Sequence, residues 1–281
     1  MFNRLKTHLI RTLHIGVEKL AYNQSYNFPF GKEPLASENK YKRLAMEARN
    51  KNYPEVDSYE YKSGYAIDQE WLHELALHTQ VVIKKSELCY QHGRILYTAL
   101  SQYLNDHPLR DVGDRFTVWE TGTARGFSTL CMAKALADQG RAGTIVTFDF
   151  LPHRTKMYWN CIDDHDKPKS RAELLEPWKD LIERYIIFHQ GDSKLEMPMV
   201  QAEHIHFAFL DGSHKYNDVV FEFQQIYKWQ KKGDIIVCDD YTPELFPEVV
   251  RAVDEMCEKY DYSITHLKVI EGRGYVVSVK E

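Results

Sequence analysis

Three acidic residues and a histidine follow two short apolar runs that predict buried β-strands. Asp211 and His214 come after the first run, and Asp239 with Asp240 come after the second. In an open parallel sheet, ligands bind just beyond the carboxyl ends of the strands. Because clustered carboxylates repel one another unless a positive group lies among them, the three acids predict a site for a hard divalent cation such as Mg²⁺.

A cation at this place suits chemistry on a hydroxyl group. A hydroxyl bound to a divalent ion ionises more readily, as metal-bound water does. His214 is a candidate general base for its proton. We therefore predict His214 and Asp211 as catalytic residues and Asp211, Asp239 and Asp240 as metal ligands. The alternatives are that His214 caps the next helix or binds a carbonyl, and that Asp239 and Asp240 begin a loop in which one acid caps a helix and the other is solvated.

A glycine-containing turn joins a predicted strand to a predicted helix. Residues 120–128 read ETGTARGFS. Gly122 and Gly126 allow a sharp turn and the close approach of a ligand, and the helix N-terminus favours a carboxylate. The dinucleotide-binding fingerprint has a second glycine where this chain has Ala124. The acid at the strand end, Glu120, suits a ligand that also carries an ammonium group.

Two further acids stand at the ends of the next two predicted strands. Asp149 occupies a position from which an acid binds the two hydroxyls of a ribose. Asp192 and Ser193 lie at the sheet edge where an adenine would lie. Each of these features alone could equally have a purely structural role. Their order along the chain, each at the end of a predicted strand, predicts a nucleoside ligand with an amino acid tail, and S-adenosylmethionine is such a ligand.

The elements that position these residues alternate between strand and helix. The predicted strands are 116–120, 144–148, 185–189, 206–210 and 234–238, and the predicted helices are 128–137, 219–229 and 247–259. This alternation predicts a parallel sheet with helices on both faces. Residues 263–270 and 275–280 predict a terminal hairpin. The predicted fold class is α/β and Rossmann-like, mostly parallel with an antiparallel C-terminal hairpin strand.

The first part of the chain predicts an extension to this domain. Residues 1–67 would form a basic amphipathic helix over 1–22, packed on the domain or a second subunit or lying on a membrane surface, followed by an irregular arm or lid. Residues 68–281 would form the main domain, with an insertion at 151–184 that helps cover the substrate or simply packs. Within it, we expect the acidic run 163–166 to be a solvated loop.

Composition narrows the class of protein. The 281 residues are 43% apolar and 27% charged, as in ordinary globular proteins. A net charge of -5 argues against a nucleic-acid partner. Five scattered cysteines predict free thiols and a cytoplasmic protein, and no run is apolar enough to span a bilayer. The sequence leaves a homo-oligomer open.

Two stretches resemble a known family. ETGTARGFS resembles the cofactor loop of class I S-adenosylmethionine-dependent methyltransferases. LDGSHKY followed by KKGDIIVCDDY resembles the later strands of metal-dependent small-molecule O-methyltransferases, in particular the macrolide and aminocoumarin sugar O-methyltransferases and the cephalosporin-biosynthesis methyltransferase-like proteins. The resemblance covers roughly residues 95–280.

The resemblance implies an activity and a set of binding residues. It implies methyl transfer from S-adenosylmethionine to a hydroxyl of a small molecule, a sugar or a natural-product or polysaccharide precursor, with His214 as base and Mg²⁺ as cofactor. The implied cofactor-binding residues are Glu120, Gly122, Thr123, Gly126, Ser128, Asp149, Asp192 and Ser193. A metal-independent methyltransferase acting on nitrogen or another acceptor, and a non-catalytic binding subunit of the same fold, are the alternatives.

Overall fold

A seven-stranded sheet organises the computed structural model, which describes residue 30 and residues 32–108 and 115–281. The strands are β1 (Phe116–Thr121), β2 (Gly143–Asp149), β3 (Ile186–Gln190), β4 (Phe207–Leu210), β5 (Ile235–Cys238), β6 (Tyr262–Ile270) and β7 (Arg273–Lys280). Their order is β3-β2-β1-β4-β5-β7-β6. Strands β1 to β5 pair in parallel, and β7 runs antiparallel to both β5 and β6. The predicted fold class is confirmed, including the antiparallel ending.

Helices pack around the sheet. They are α1 (Glu38–Arg49), α2 (Pro54–Ser63), α3 (Gln69–Thr79), α4 (His92–Asp106), α5 (Phe127–Asp138), α6 (Arg171–Leu174), α7 (Lys179–Tyr185), α8 (Ser193–Glu196), α9 (Tyr216–Tyr227) and α10 (Pro247–Tyr260). Adjacent strand residues point to opposite faces. Val118 packs with the core around α4 and α5, whereas Trp119 packs with the core around α9 and α10. The sheet is therefore covered by helices on both faces.

The segment expected to be irregular contains two helices, so that part of the prediction is wrong. Pro54 opens α2, and Gly64 ends it in the left-handed conformation with φ 77°. The helix α1 buries only Tyr41 and Ala48. Because α1 buries so few apolar side chains, its sequence has only a weak helical periodicity, and the helix could not be predicted from it. The predicted helix over 1–22 lies outside the described residues, and the domain boundary at residue 67 stays a prediction.

The first two acids of the run in the insertion are folded rather than solvated, contrary to the expectation, whereas His165 and Asp166 are exposed. Asp164 is buried and accepts a hydrogen bond from the Trp159 N–H at 2.7 Å. Asp163 accepts one from Lys169 Nζ at 2.8 Å, and its carboxylate lies 2.6 Å from His78 Nδ1. The acids thus hold the insertion together and join it to α3.

All five cysteines are buried and free. Within residues 32–108 and 115–281, no helix is both long and apolar enough to cross a membrane.

Candidate functional site

The turn between β1 and α5 brings the ends of three strands together. Gly122 has φ 88°, and its N–H donates to the Phe148 carbonyl at 2.9 Å. A Cβ on Gly122 would lie 2.2 Å from the carbonyl oxygen of Asp211. The N–H of Asp211 in turn donates to the Thr121 carbonyl at 3.1 Å. Because the turn passes so close to the backbone at the end of β4, residue 122 must be glycine.

The side chain of Glu120 supports this turn through hydrogen bonds. Its buried carboxylate accepts hydrogen bonds from Ser128 Oγ and Thr147 Oγ1, both at 2.5 Å, and from Thr129 Oγ1. Thr147 Oγ1 also lies 2.5 Å from Thr123 Oγ1. Burial raises the pKa of Glu120, and the hydroxyl hydrogen bonds oppose that rise. The carboxylate is engaged by hydroxyl groups of the protein itself, so Glu120 shapes the turn, and its role in binding a cofactor stays a prediction.

Above the turn lies a cavity of ≈ 350 Å³ at the carboxyl ends of β1, β2, β3 and β4. Four of the predicted cofactor-binding residues line it, namely Gly122, Asp149, Asp192 and Ser193. The other four, Glu120, Thr123, Gly126 and Ser128, lie outside its lining. Gly126 shows why: a Cβ there would lie 2.7 Å from Leu175 Cδ1, on the side of the insertion. The prediction thus combines residues of the cavity with residues that support it.

Asp149 is held in place on the cavity wall. One carboxylate oxygen accepts from the Ala124 N–H at 2.5 Å, and the other accepts from the Leu151 N–H at 2.6 Å. Arg171 Nη2 lies 3.5 Å from the first oxygen. Burial raises the pKa of Asp149, whereas Arg171 and the two N–H groups lower it. The side chain is oriented before any ligand arrives.

Glu222 is a cavity residue that the sequence interpretation missed. It lies on the buried face of α9, accepts hydrogen bonds from Thr121 Oγ1 at 2.8 Å and Ser193 Oγ at 2.7 Å, and lines the cavity. Burial raises its pKa from 4.5 to about 7. The sequence does contain a signal for this residue, because Glu222 is an acid three residues after Val219, on the apolar side of a predicted helix.

Glu222→Gln should stabilise the protein increasingly as the pH rises from about 5 to 7. Because the folded-state pKa of Glu222 lies above its ordinary value, the folded state binds the extra proton, and wild-type stability is lost as pH rises to about 7. The interval corresponds to at most about 3 kcal/mol. Urea unfolding of both proteins at several pH values measures it. A stability difference that does not vary with pH would contradict the assignment.

Next to the cavity lies a small recess lined by four of the predicted functional residues, three of which form a close group. Ligand atoms of Asp211, His214 and Asp240 lie within 4.8 Å of one another, and His214 Nε2 is 2.7 Å from Asp240 Oδ2. Asp240 has φ 55°, an uncommon conformation for a residue other than glycine. Strain of this kind often marks a functional position. The hydrogen bond to Asp240 is the main cause that raises the pKa of His214.

Asp239 lines the same recess, but its carboxylate is engaged by Arg273 rather than grouped with these three side chains. Its carboxylate accepts from Arg273 Nη2 at 3.0 Å and from the Asp240 N–H at 2.6 Å. Arg273 Nε also donates to Tyr275 Oη at 3.0 Å. The predicted set of three acids is therefore divided. Asp211 and Asp240 come together with His214, whereas Asp239 pairs with Arg273, which lies between the two runs predicted to form the hairpin.

The residues of the recess fit a divalent cation. Burial raises the pKa of Asp211 well above its usual range, and the charges of Asp239 and Asp240 raise it further, against the opposing charge of Arg273. A positive ion between Asp211 and Asp240 would relieve this repulsion. Two carboxylates and an imidazole, with no cysteine among them, suit a divalent ion of the magnesium or manganese type.

Comparisons with known proteins agree with this architecture. Residues 119–241 match the model of a family described as a methyltransferase domain. No curated protein sequence matches the chain. Cofactor-bound Rv0187 from MTB superposes with a TM-score of 0.54 and 17% identity, covering 82% of this chain and 98% of that chain.

Two O-methyltransferases are similar to the same degree. NovP has a TM-score of 0.51 and 18% identity, covering 70% of this chain and 83% of that chain. TomG from Streptomyces achromogenes, in complex with S-adenosylmethionine, has a TM-score of 0.50 and 17% identity, covering 80% of this chain and 96% of that chain. Identities this low establish a common fold. The chain thus has the class I S-adenosylmethionine-dependent methyltransferase fold, and its residues 119–241 carry the sequence pattern of a methyltransferase domain, as the resemblance predicts.

Proposed function

We propose that the protein transfers a methyl group from S-adenosylmethionine to a hydroxyl of a small molecule, a sugar or another natural-product or polysaccharide precursor, with the help of a divalent cation such as Mg²⁺. The supporting observation is the position of Asp211. It lines the cavity at the strand ends and also the recess that contains His214 and Asp240. A cofactor and a hydroxyl acceptor would therefore meet at Asp211.

The cavity offers the groups that S-adenosylmethionine requires. Asp149 presents a fixed carboxylate that would bind the ribose hydroxyls, and Asp192 and Ser193, which line the same cavity, would lie beside the adenine. Gly122 lines the same cavity, and the turn there would lie against the amino acid tail. The cofactor supplies an activated methyl group, and the protein fixes its orientation.

The recess offers a base and a cation site. His214 is more than half exposed and is oriented by Asp240, so it can take the acceptor's proton. Asp211 and Asp240, with or without His214, would hold the cation, which makes a nearby hydroxyl easier to ionise. The likeness to NovP and TomG, both described as O-methyltransferases, supports a hydroxyl acceptor.

Wild-type protein should bind S-adenosylhomocysteine with micromolar affinity, and Asp149→Ala should reduce that affinity below detection. Removing Asp149 deletes the carboxylate that the ribose hydroxyls would use and also leaves Arg171 without its charged partner. Calorimetric titration with and without Mg²⁺ measures both effects. Asp180→Ala, which changes an exposed acid on α7, is the control and should bind as the wild type does.

Each result separates the alternatives. Absence of binding in wild type, with and without Mg²⁺, would refute the cofactor and favour a binding subunit of this fold. Binding of S-adenosylhomocysteine combined with Mg²⁺-independent label transfer from S-adenosylmethionine to amines would favour a metal-independent N-methyltransferase. Mg²⁺-dependent transfer to hydroxylated sugars or phenols supports the proposal.

A further inference from the structure

Arg171 is an almost fully buried arginine that belongs to the insertion but lies directly behind Asp149. It is 1% exposed, and its Nε donates to the Ala124 carbonyl at 2.8 Å. Nη2 lies 3.5 Å from the Asp149 carboxylate and has no hydrogen-bond partner within the described part of the chain. The guanidinium lies over the rings of Trp159 and Phe188, at 5.8 and 5.7 Å from their centroids.

A cation in such surroundings is costly unless an opposite charge compensates it. Burial lowers the pKa of Arg171, and Asp149 is the first of the charges that oppose this effect. Arg171 is also the first of the groups that lower the pKa of Asp149. Each side chain therefore opposes the effect of burial on the charge of the other.

We propose, building on the cofactor site proposed above, that Arg171 is a positioning residue that keeps the Asp149 carboxylate ionised and directed at the ribose hydroxyls. Arg171 does not line the cavity, so it acts through Asp149 rather than by touching the ligand. Its bond to the Ala124 carbonyl fixes the residue whose N–H binds the same carboxylate. The insertion therefore contributes a residue that orients the cofactor site, in addition to any part it has in covering the substrate.

Arg125 provides a matched control because it joins the same two segments in the opposite direction. It lies in the turn, is buried, and donates from Nε to the Trp159 carbonyl at 2.6 Å. Its guanidinium lies 5.0 Å from the Phe30 ring centroid. The charges that influence the pKa of Arg125 come from Cys161, Asp164 and Tyr41 rather than from Asp149. Removing Arg125 weakens the same junction without removing the charge beside Asp149.

Other charged groups near Asp149 do not substitute for Arg171. Glu120 is negative or neutral, and burial lowers the pKa of His153 to about 4, so this ring is neutral near pH 7. The remaining contacts of the carboxylate are the N–H groups of Ala124 and Leu151. Glu222 lines the same cavity and titrates near pH 7, so wild-type affinity itself can vary with pH. The informative quantity is therefore the ratio of variant to wild-type affinity at each pH.

The test is calorimetric titration with S-adenosylhomocysteine between about pH 5.5 and 8.5 for wild type, Arg171→Met, Arg171→Lys and Arg125→Met. An opposite charge nearby lowers a carboxyl pKa by about 1–3 units. In Arg171→Met the relative affinity should fall as pH decreases, by up to about tenfold per pH unit below the new pKa of Asp149. Arg171→Lys, which keeps the charge, and Arg125→Met should each show a ratio that does not vary with pH.

A second measurement does not depend on cofactor binding. Carbon-13 NMR of the side-chain carboxyl groups of ligand-free protein should show a higher pKa for Asp149 in Arg171→Met than in wild type and in Arg125→Met. A constant affinity ratio together with an unchanged Asp149 pKa would overturn the proposal and leave Arg171 a packing residue. If wild type fails to bind S-adenosylhomocysteine but the NMR shift is present, the proposed function fails and the electrostatic pairing stands. If Arg171→Met does not fold, Arg171→Gln replaces it in both measurements.

Discussion

Gly122→Ala should eliminate detectable binding of S-adenosylhomocysteine and lower the free energy of unfolding by about 2–5 kcal/mol. Gly122 has φ 88°, where any side chain adds strain, and its new Cβ would lie 2.2 Å from the Asp211 carbonyl oxygen. The obstructing atom belongs to the backbone at the end of β4, so the turn or the strand must move. Either movement displaces the wall of the cavity. Calorimetry and urea unfolding measure the two effects.

Gly140→Ala separates backbone strain from the steric clash. Gly140 has φ 60°, and a Cβ there would meet no atom within 4 Å. This control should cost only about 1–2 kcal/mol and should leave the affinity for S-adenosylhomocysteine unchanged. Equal losses in the two variants, or retained binding in Gly122→Ala, would show that the close approach of the turn to Asp211 does not matter.

The sequence predicts the fold because its signals are local. The strands β1 to β5 are short apolar runs that end at polar residues, and the turn at Gly122 lies directly after one of them. The parallel arrangement follows from the alternation with helices. Gly122, Asp149, Asp192 and Asp211 could be placed near one ligand because each follows a strand of the same sheet.

Partnerships between distant segments could not be read in this way. Arg171 and Asp149 meet only because the insertion folds back on the sheet, and Arg273 reaches Asp239 from the terminal hairpin. Glu222 accepts hydrogen bonds from the end of β1 and from the start of α8. The periodicity of the sequence indicates local structure and does not predict contacts between distant residues. This is why the sequence predicts three equivalent acids where the structure distinguishes two environments.

Asp211→Asn and Asp239→Asn should have opposite effects on stability in protein stripped of metal. Burial and the charges of Asp239 and Asp240 disfavour the ionised Asp211 carboxylate and outweigh the opposing charge of Arg273, so replacing the carboxyl with an amide should stabilise the fold by about 1–3 kcal/mol at neutral pH. Asp239 forms an ion pair with Arg273 at 3.0 Å, and its side chain is 1% exposed. Losing that pair leaves a partly buried cation without its hydrogen-bonded carboxylate and should destabilise the fold by about 3 kcal/mol. Urea unfolding in the presence of a chelator measures both.

Added Mg²⁺ or Mn²⁺ should reverse the ranking of Asp211→Asn and wild type. A cation that binds only the folded state raises stability in proportion to the logarithm of its concentration above Kd. Wild type should gain this stabilisation, whereas Asp211→Asn should not, because it has lost a ligand from the group Asp211, His214 and Asp240. An Asp211→Asn variant that is less stable than wild type without metal would refute the repulsion. Wild type that gains nothing from either ion would remove the cation from the proposed function. Repulsion without the ion and stabilisation with it are what distinguish a metal site from three acids that merely lie near one another.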